Sequence, residues 1–257
     1  GTLQAVYDFL SHNEDVDVVS VPITFFDNQK GPHILNYKYS RERVIDLLSE
    51  PNHPQLSASS AFIRRCAIKG LEFDECLVNS EDAVFINKIL VNNPKLGVVK
   101  NNNANYLYRK RFDESSTIDN SQKKKGFFTD RLKYYFKELI NYSIKEYGEV
   151  LDFIQYVLVY DIQWMVKVED IESILNKKET QTFWKYFIDV LSYLDGGIIG
   201  SYKKLDVNVR DFLLAVKKSG LNEYTIKDLE MDDRLGIHRF YIDIVNLKNN
   251  VCVFLVF

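Results

Sequence analysis

The sequence predicts an α/β unit that gives way to an α-helical region and ends in a β-hairpin. Three observations carry that expectation. Over residues 1–111, short β-branched runs alternate with stretches of helical spacing. From Leu132 to Val216 the apolar residues recur only at helical spacing. Beyond Ile237 the chain becomes rich in β-branched and aromatic residues.

The elements follow in order. Leu3, Val6, Tyr7 and Leu10 fall at helical spacing and predict an amphipathic helix. Asp17 to Ile23 reads as a buried strand, and Phe25 and Phe26 continue its apolar character. Gly31-Pro32 marks a loop, after which Ser40 is placed to cap a short helix carrying Val44, Ile45, Leu47 and Leu48. Pro51 and Pro54 bracket a further loop, and Ser57 to Ile63 suits a strand. Ser80 stands where an N-cap belongs, ahead of a helix with Phe85, Ile86, Ile89 and Leu90 as its buried stripe. Asn92-Asn93-Pro94 stops it. Leu96 to Lys100 and Tyr106 to Arg111 read as strands joined by a polar turn at Asn101 to Asn103. The polar stretch Asp113 to Lys125, with its run Lys123-Lys124-Lys125, then separates this unit from the helices.

Leu132, Tyr135, Phe136, Leu139 and Ile140 predict one helix, and Val150 to Ile162 a second after a break at Gly148. Phe183, Phe187, Val190, Leu191 and Leu194 predict a third that stops at Gly196-Gly197, and residues 207–217 a fourth. Ile237 to Leu247 and Val251 to Phe257 form the hairpin, turning at Lys248-Asn249-Asn250. The domain boundaries expected are 1–118, 119–230 and 231–257.

Composition narrows the function classes. Apolar residues at 46% against 27% charged supply a sizeable core and argue against global disorder. A net charge of −3 lacks the basic excess of a nucleic-acid protein, so no nucleic-acid partner is expected. Cys66, Cys76 and Cys252 lie far apart without a CxxC pair, which points to neither a zinc site nor a disulfide framework and suits a reducing cytoplasm. No apolar run approaches the ~20 residues of a membrane span, and residues 1–15 lack a signal-peptide pattern. His12, His33, His53 and His238 show no metal-ligand or triad spacing, so structural or surface roles are expected.

Two clusters carry candidate chemistry. Glu81 and Asp82 open the predicted helix, where acids ordinarily do no more than complement the helix dipole. Arg109-Lys110-Arg111 ends a strand, with Ser115-Ser116 shortly after. A carboxylate beside cations can deprotonate an acceptor hydroxyl while a diphosphate leaving group is held. In an extended strand Arg109 and Arg111 share one face and Lys110 takes the other, which favours the two arginines as the phosphate contacts.

The segment FDECLVNSEDAVFINKIL resembles the pattern of inverting family 2 glycosyltransferases of the GT-A fold, in which an apolar-Phe-Asp segment leads to Glu-Asp at a helix start. In that family the aspartate is the general base, which implies this role for Asp82 with Glu81 as its supporting neighbour. NYLYRKRFDESST is similar to a Tyr-Tyr-Arg-Lys-Arg…Ser-Ser stretch typical of bacterial transferases that build cell-surface polysaccharides. The resemblance implies that Arg109, Lys110 and Arg111 lie near the nucleotide diphosphate. Ser115 and Ser116 either bond phosphate or begin a turn.

The resemblance covers residues 1 to about 118, the second half of such a domain. The resemblance implies that the family's metal-holding Asp-x-Asp motif lies upstream of the residues it covers. Donor-base recognition and the ligands of the expected divalent cation, magnesium or manganese, are therefore expected upstream. The chain alone is expected to be a fragment without transferase activity, with no metal ligands of its own. DFIQYVLVYDIQWMVK looks like a segment after the transferase domain in long teichoic-acid and capsule enzymes.

The implied function is transfer of a sugar from a nucleotide-sugar donor to a glycan or polyol-phosphate acceptor of the cell surface. The implied setting is the cytoplasm, with room for peripheral association at the inner membrane face. Two alternatives stand beside it: a non-catalytic helical interaction module, and the lead-in to a CDP-glycerol glycerophosphotransferase domain.

Overall fold

The structure is a computed structural model that describes residues 1–68, 70–77, 79–100, 104–112, 121–168, 171, 173–219, 224–232, 237–244 and 253–256. It divides into two compact units, Gly1–Leu158 and Val159–Phe257, each described by itself below.

Unit one is built on a four-stranded sheet. Its strands are β1 (Val18–Ser20), β4 (Arg43–Asp46), β5 (Ala61–Ile63) and β6 (Lys95–Val98), in the order β4-β6-β1-β5. β1 and β6 run parallel, with Val19 opposite Gly97, while β4 and β5 flank them antiparallel. A smaller sheet, in the order β3-β2-β7, contains β2 (Ile23–Asp27), β3 (Gly31–Pro32) and β7 (Tyr106–Lys110). The strand expected from Asp17 is thus cut at Val21-Pro22, because proline has no N–H to continue a ladder. The predicted helix bearing Val44 and Ile45 is instead β4, preceded by a 3₁₀ helix at Ile34–Ser40. Pairing with β6 outweighs the weak helical spacing there.

Helix α1 (Thr2–His12) forms as expected, but its inward residues are Val6 and Phe9, whereas Leu3 and Tyr7 are 74% and 68% exposed. The reason lies on β6. A side chain at Gly97 would bring its Cβ to 2.6 Å from Phe9 Cε1 and 2.8 Å from Val19 Cγ2, so the glycine makes the slot that Phe9 fills. Gly97→Ala should destabilise the protein by about 1–3 kcal/mol through overpacking. A chemical denaturation midpoint equal to the native one would refute this.

Helix α2 (Glu81–Asn92) buries the expected stripe of Phe85, Ile86, Ile89 and Leu90. A π-helical turn (Arg131–Phe136) runs into α3 (Lys137–Tyr147), which ends at Gly148 with φ of +80°. Lys88 pairs with Glu138 at 2.6 Å and Tyr142 Oη donates to Asn92 Oδ1 at 3.0 Å, tying α3 along α2. This compact unit runs from Gly1 to Leu158.

Helix α4 (Asp152–Val166) follows in chain order. In unit two, α5 (Lys177–Ser192) and α7 (Val207–Ser219) share an aromatic cluster of Phe183, Trp184, Phe187 and Phe212. Gly196-Gly197 does not stop a helix. It opens the short α6 (Gly196–Ser201), whose N-cap Asp195 accepts from Gly197 and Ile198 N–H at 2.7 and 3.1 Å. The end of the chain is a three-stranded antiparallel sheet in the order β10-β9-β8. It comprises β8 (Tyr224–Asp232), β9 (Ile237–Ile244) and β10 (Val253–Val256). The β9–β10 pairing is the expected hairpin, though its turn at 248–250 lies outside the described residues. β8 replaces the end of the expected helical region. A register shift between Lys227 and Leu229 breaks its alternation, which hides it from a period-two reading.

Candidate active site

The site assembles at one edge of the four-stranded sheet. β1 and β6 both end there, at Ser20 and Val98. Val21 N–H donates to Ser60 O at 2.9 Å, which fastens the 57–60 turn to that edge. Ala58 N–H in turn donates to Asp82 Oδ2 at 3.0 Å, so the start of α2 stands at the carboxyl ends of the parallel strands. This is where ligands of open α/β sheets ordinarily bind. β2 and β7 continue outward from the same edge as a parallel ribbon, with Ile23 opposite Tyr106 and Asp27 opposite Lys110. Their cations therefore project beyond it.

Asp82 lies in the first turn of α2 and is half-buried. Its Oδ1 accepts from Ala83 N–H at 2.9 Å, while Oδ2 holds the Ala58 N–H. These two amide donors fix the plane of the carboxylate. Glu81 precedes it, and its Oε2 is buried with no hydrogen-bond partner among the described residues. Ser80 holds the N-cap position at φ +71°, a left-handed conformation that costs roughly 1–3 kcal/mol in a non-glycine residue. Its hydroxyl makes no capping bond and instead accepts from Arg131 Nε at 3.1 Å, contrary to the expected side-chain cap.

Arg109 extends 61% exposed from β7 and pairs with Asp27 at 2.8 Å. Lys110 takes the opposite face, half-buried, with its Nζ 5.7 Å from the Tyr108 ring centroid. Arg111 follows, exposed. Asp27 is an anionic partner of Arg109 that the sequence did not suggest. Ser115 and Ser116, like the turn at 101–103, lie outside the described residues. Cys66 and Cys76 are exposed free thiols, and Cys252 lies outside the described residues.

Several polar residues of this region escaped sequence reasoning. Arg131 is only 4% exposed and lies 4.7 Å from the Phe127 ring centroid, behind Ser80. Lys38 is 3% exposed and donates to Pro54 O and Gln55 Oε1, both at 2.7 Å. Asn87 is fully buried on α2 and donates to Gln55 O at 2.9 Å and Ala83 O at 2.8 Å. The signal for Asn87 was present: a polar residue sits on the apolar face of a helix. His33 and His53 are structural, each lowered to about 4 chiefly by burial, and His33 Nδ1 caps the 3₁₀ helix by accepting from Leu35 N–H.

Burial lowers the Lys38 ammonium from 10.5 to about 7. Between those values the unfolded chain binds a proton that the folded chain does not, so the folded state gains stability as pH rises through that window. Lys38→Met should remove this gain. Thermal midpoints of the two proteins compared at pH 6.5 and 9 should diverge in favour of the native one at higher pH, and a gap independent of pH would refute the assignment.

As to metals, no group of three or more His, Cys, Asp or Glu side chains able to hold an ion occurs among the described residues. No helix among them is long and apolar enough to cross a membrane.

No protein-family model matches the chain. It is 34% identical over 201 residues to the minor teichoic acid biosynthesis protein GgaB of Bacillus subtilis strain 168, a match covering 77% of this chain and 22% of GgaB. It is 31% identical over 198 residues to GgaA of the same organism, covering 75% of this chain and 44% of GgaA. The chain thus spans under half the length of each of these relatives. Among solved structures it resembles S. aureus TarS 1–349 in complex with UDP-GlcNAc, with a TM-score of 0.57 at 15% identity over 98% of this chain and 70% of that one. The UDP complex of the same protein gives a TM-score of 0.51 at 13% identity, with the same coverage.

Proposed function

We propose that the chain is a glycosyltransferase family 2-like region of the teichoic-acid type and that it supplies the general base and donor-phosphate contacts of an inverting sugar transfer. Asp82 takes the proton of the acceptor hydroxyl as its oxygen bonds to the anomeric carbon. The bond from that carbon to the diphosphate breaks, and the nucleoside diphosphate leaves with the electron pair. Glu81 supports the base. Arg109, Lys110 and Arg111 offset the charge that develops on the leaving group. Ser115 and Ser116 are assigned to the same phosphates. The acceptor is a teichoic acid or another cell-surface polysaccharide, offered as glycan or polyol phosphate.

One observation carries this reading. The half-buried carboxylate of Asp82 is oriented by two amide donors at the sheet edge from which the cationic β2–β7 ribbon projects. The ligands of the TarS complexes, UDP-GlcNAc and UDP, support a nucleotide-linked donor here. A divalent cation, magnesium or manganese, would neutralise the donor diphosphate when bound, with ligands outside the described residues. We place the activity in the cytoplasm, at the inner face of the membrane. The division into a transferase part (1–118), a helical region (119–230) and a further β-rich module (231–257) belongs to the same proposal.

Arg109→Ala and Lys110→Ala test the phosphate contacts. Titrating UDP-N-acetylglucosamine into the whole protein should show affinity reduced about 10- to 100-fold in at least one variant, the worth of a charged hydrogen bond. Unchanged affinity in both would move the diphosphate away from β7.

A further inference from the structure

We infer that Gln55 is a positioning residue for Asp82, an inference that rests on the reading of Asp82 as the base. The two never touch in the hydrogen-bond network; the turn at 57–60 stands between them. Gln55 Nε2 donates to Ser57 O at 2.8 Å and to Ser60 Oγ at 3.2 Å, gripping both ends of that turn. The turn then presents Ala58 N–H to the Asp82 carboxylate. Gln55 is itself fixed on two sides: Lys38 donates to its side-chain oxygen, and Asn87 of α2 donates to its backbone carbonyl. Lys38, Gln55, Ser60 and Asn87 are buried, with Gln55 3% and Ser60 1% exposed, while Ser57, Ala58 and Asp82 are half-buried.

The arrangement closes a loop of bonds around the base. Asn87 and Asp82 belong to the same helix, so α2 holds Gln55 through one residue and is held by the turn through the other. Movement of the turn rotates the carboxylate, and a base misplaced by about 1 Å can lose on the order of 10² in rate. A buried polar seam serving only cohesion would have no need to end on the functional carboxylate.

The substitution Q55E separates the two roles. It keeps an acceptor for Lys38, and hence the fold, but removes the amide donors that grip Ser57 and Ser60. In the whole protein, UDP release from UDP-N-acetylglucosamine with poly(glycerol phosphate) as acceptor probe should show kcat lowered about tenfold or more with donor KM unchanged. The double variant D82N/Q55E should fall no further than D82N alone, because a positioning residue has nothing left to position. Amide hydrogen exchange across residues 57–60 should quicken in Q55E. Unchanged exchange, a kcat within twofold of the native value, or losses that multiply in the double variant would each overturn the inference. Full activity in D82N would be a different failure, removing the base assignment itself.

Discussion

Asp82→Asn lowers turnover by about 10²–10⁴-fold, the usual worth of a general base, and leaves the fold and donor affinity nearly unchanged. The asymmetry follows from the bonds of the carboxylate. Among the described residues it accepts two backbone N–H groups, from Ala58 and Ala83. A carboxamide has one acceptor oxygen and keeps one of these two bonds; losing the other costs about 1–3 kcal/mol, which the fold survives. What disappears is the ability to receive the acceptor's proton. Steady-state kinetics with a UDP-linked donor, alongside thermal unfolding, check both halves. Loss of activity accompanied by a large drop in the unfolding midpoint would mean that Asp82 serves the fold.

Phe136→Ala costs about 3–5 kcal/mol of stability, the range for deleting a buried aromatic ring. Phe136 is fully buried; its ring centroid lies 4.8 Å from that of Tyr135, tilted by 56°, and 6.0 Å from the Arg131 guanidinium carbon. The cavity would open beside Arg131, the arginine that donates to Ser80. Urea denaturation should show the lowered midpoint with an unchanged slope. A loss below 1 kcal/mol would show that the neighbouring aromatics collapse into the space.

The sequence exposed the parts of this molecule that depend on local periodicity. The stripe of α2, the parallel strands β1 and β6, the helices of the second unit and the acidic pair at a helix start could all be read from spacing and residue type. Elements decided by tertiary pairing could not. β4 carries Val44 and Ile45 beside Leu47 and Leu48, a pattern that spacing alone assigns to a helix and that pairing with β6 makes a strand. α1 turns Phe9 inward because Gly97, far along the chain on β6, leaves room for it. The buried polar network was the least legible. Lys38 lies in a polar stretch that reads as surface, and its partners Pro54 and Gln55 lie in a proline-bracketed loop. Nothing local to Arg109 announces its pairing with Asp27, which arises from the parallel register of β2 and β7.

The central claim is that the α2 N-terminus and the β2–β7 ribbon enclose one transfer site. A structure of the whole protein with a nucleotide-sugar donor and an acceptor fragment measures this most directly. The account predicts the acceptor hydroxyl within about 2.6–3.2 Å of an Asp82 carboxylate oxygen, with the diphosphate on the side of Arg109 and Lys110. A donor seated with its anomeric carbon turned away from Asp82 and its phosphates remote from β7 would contradict it.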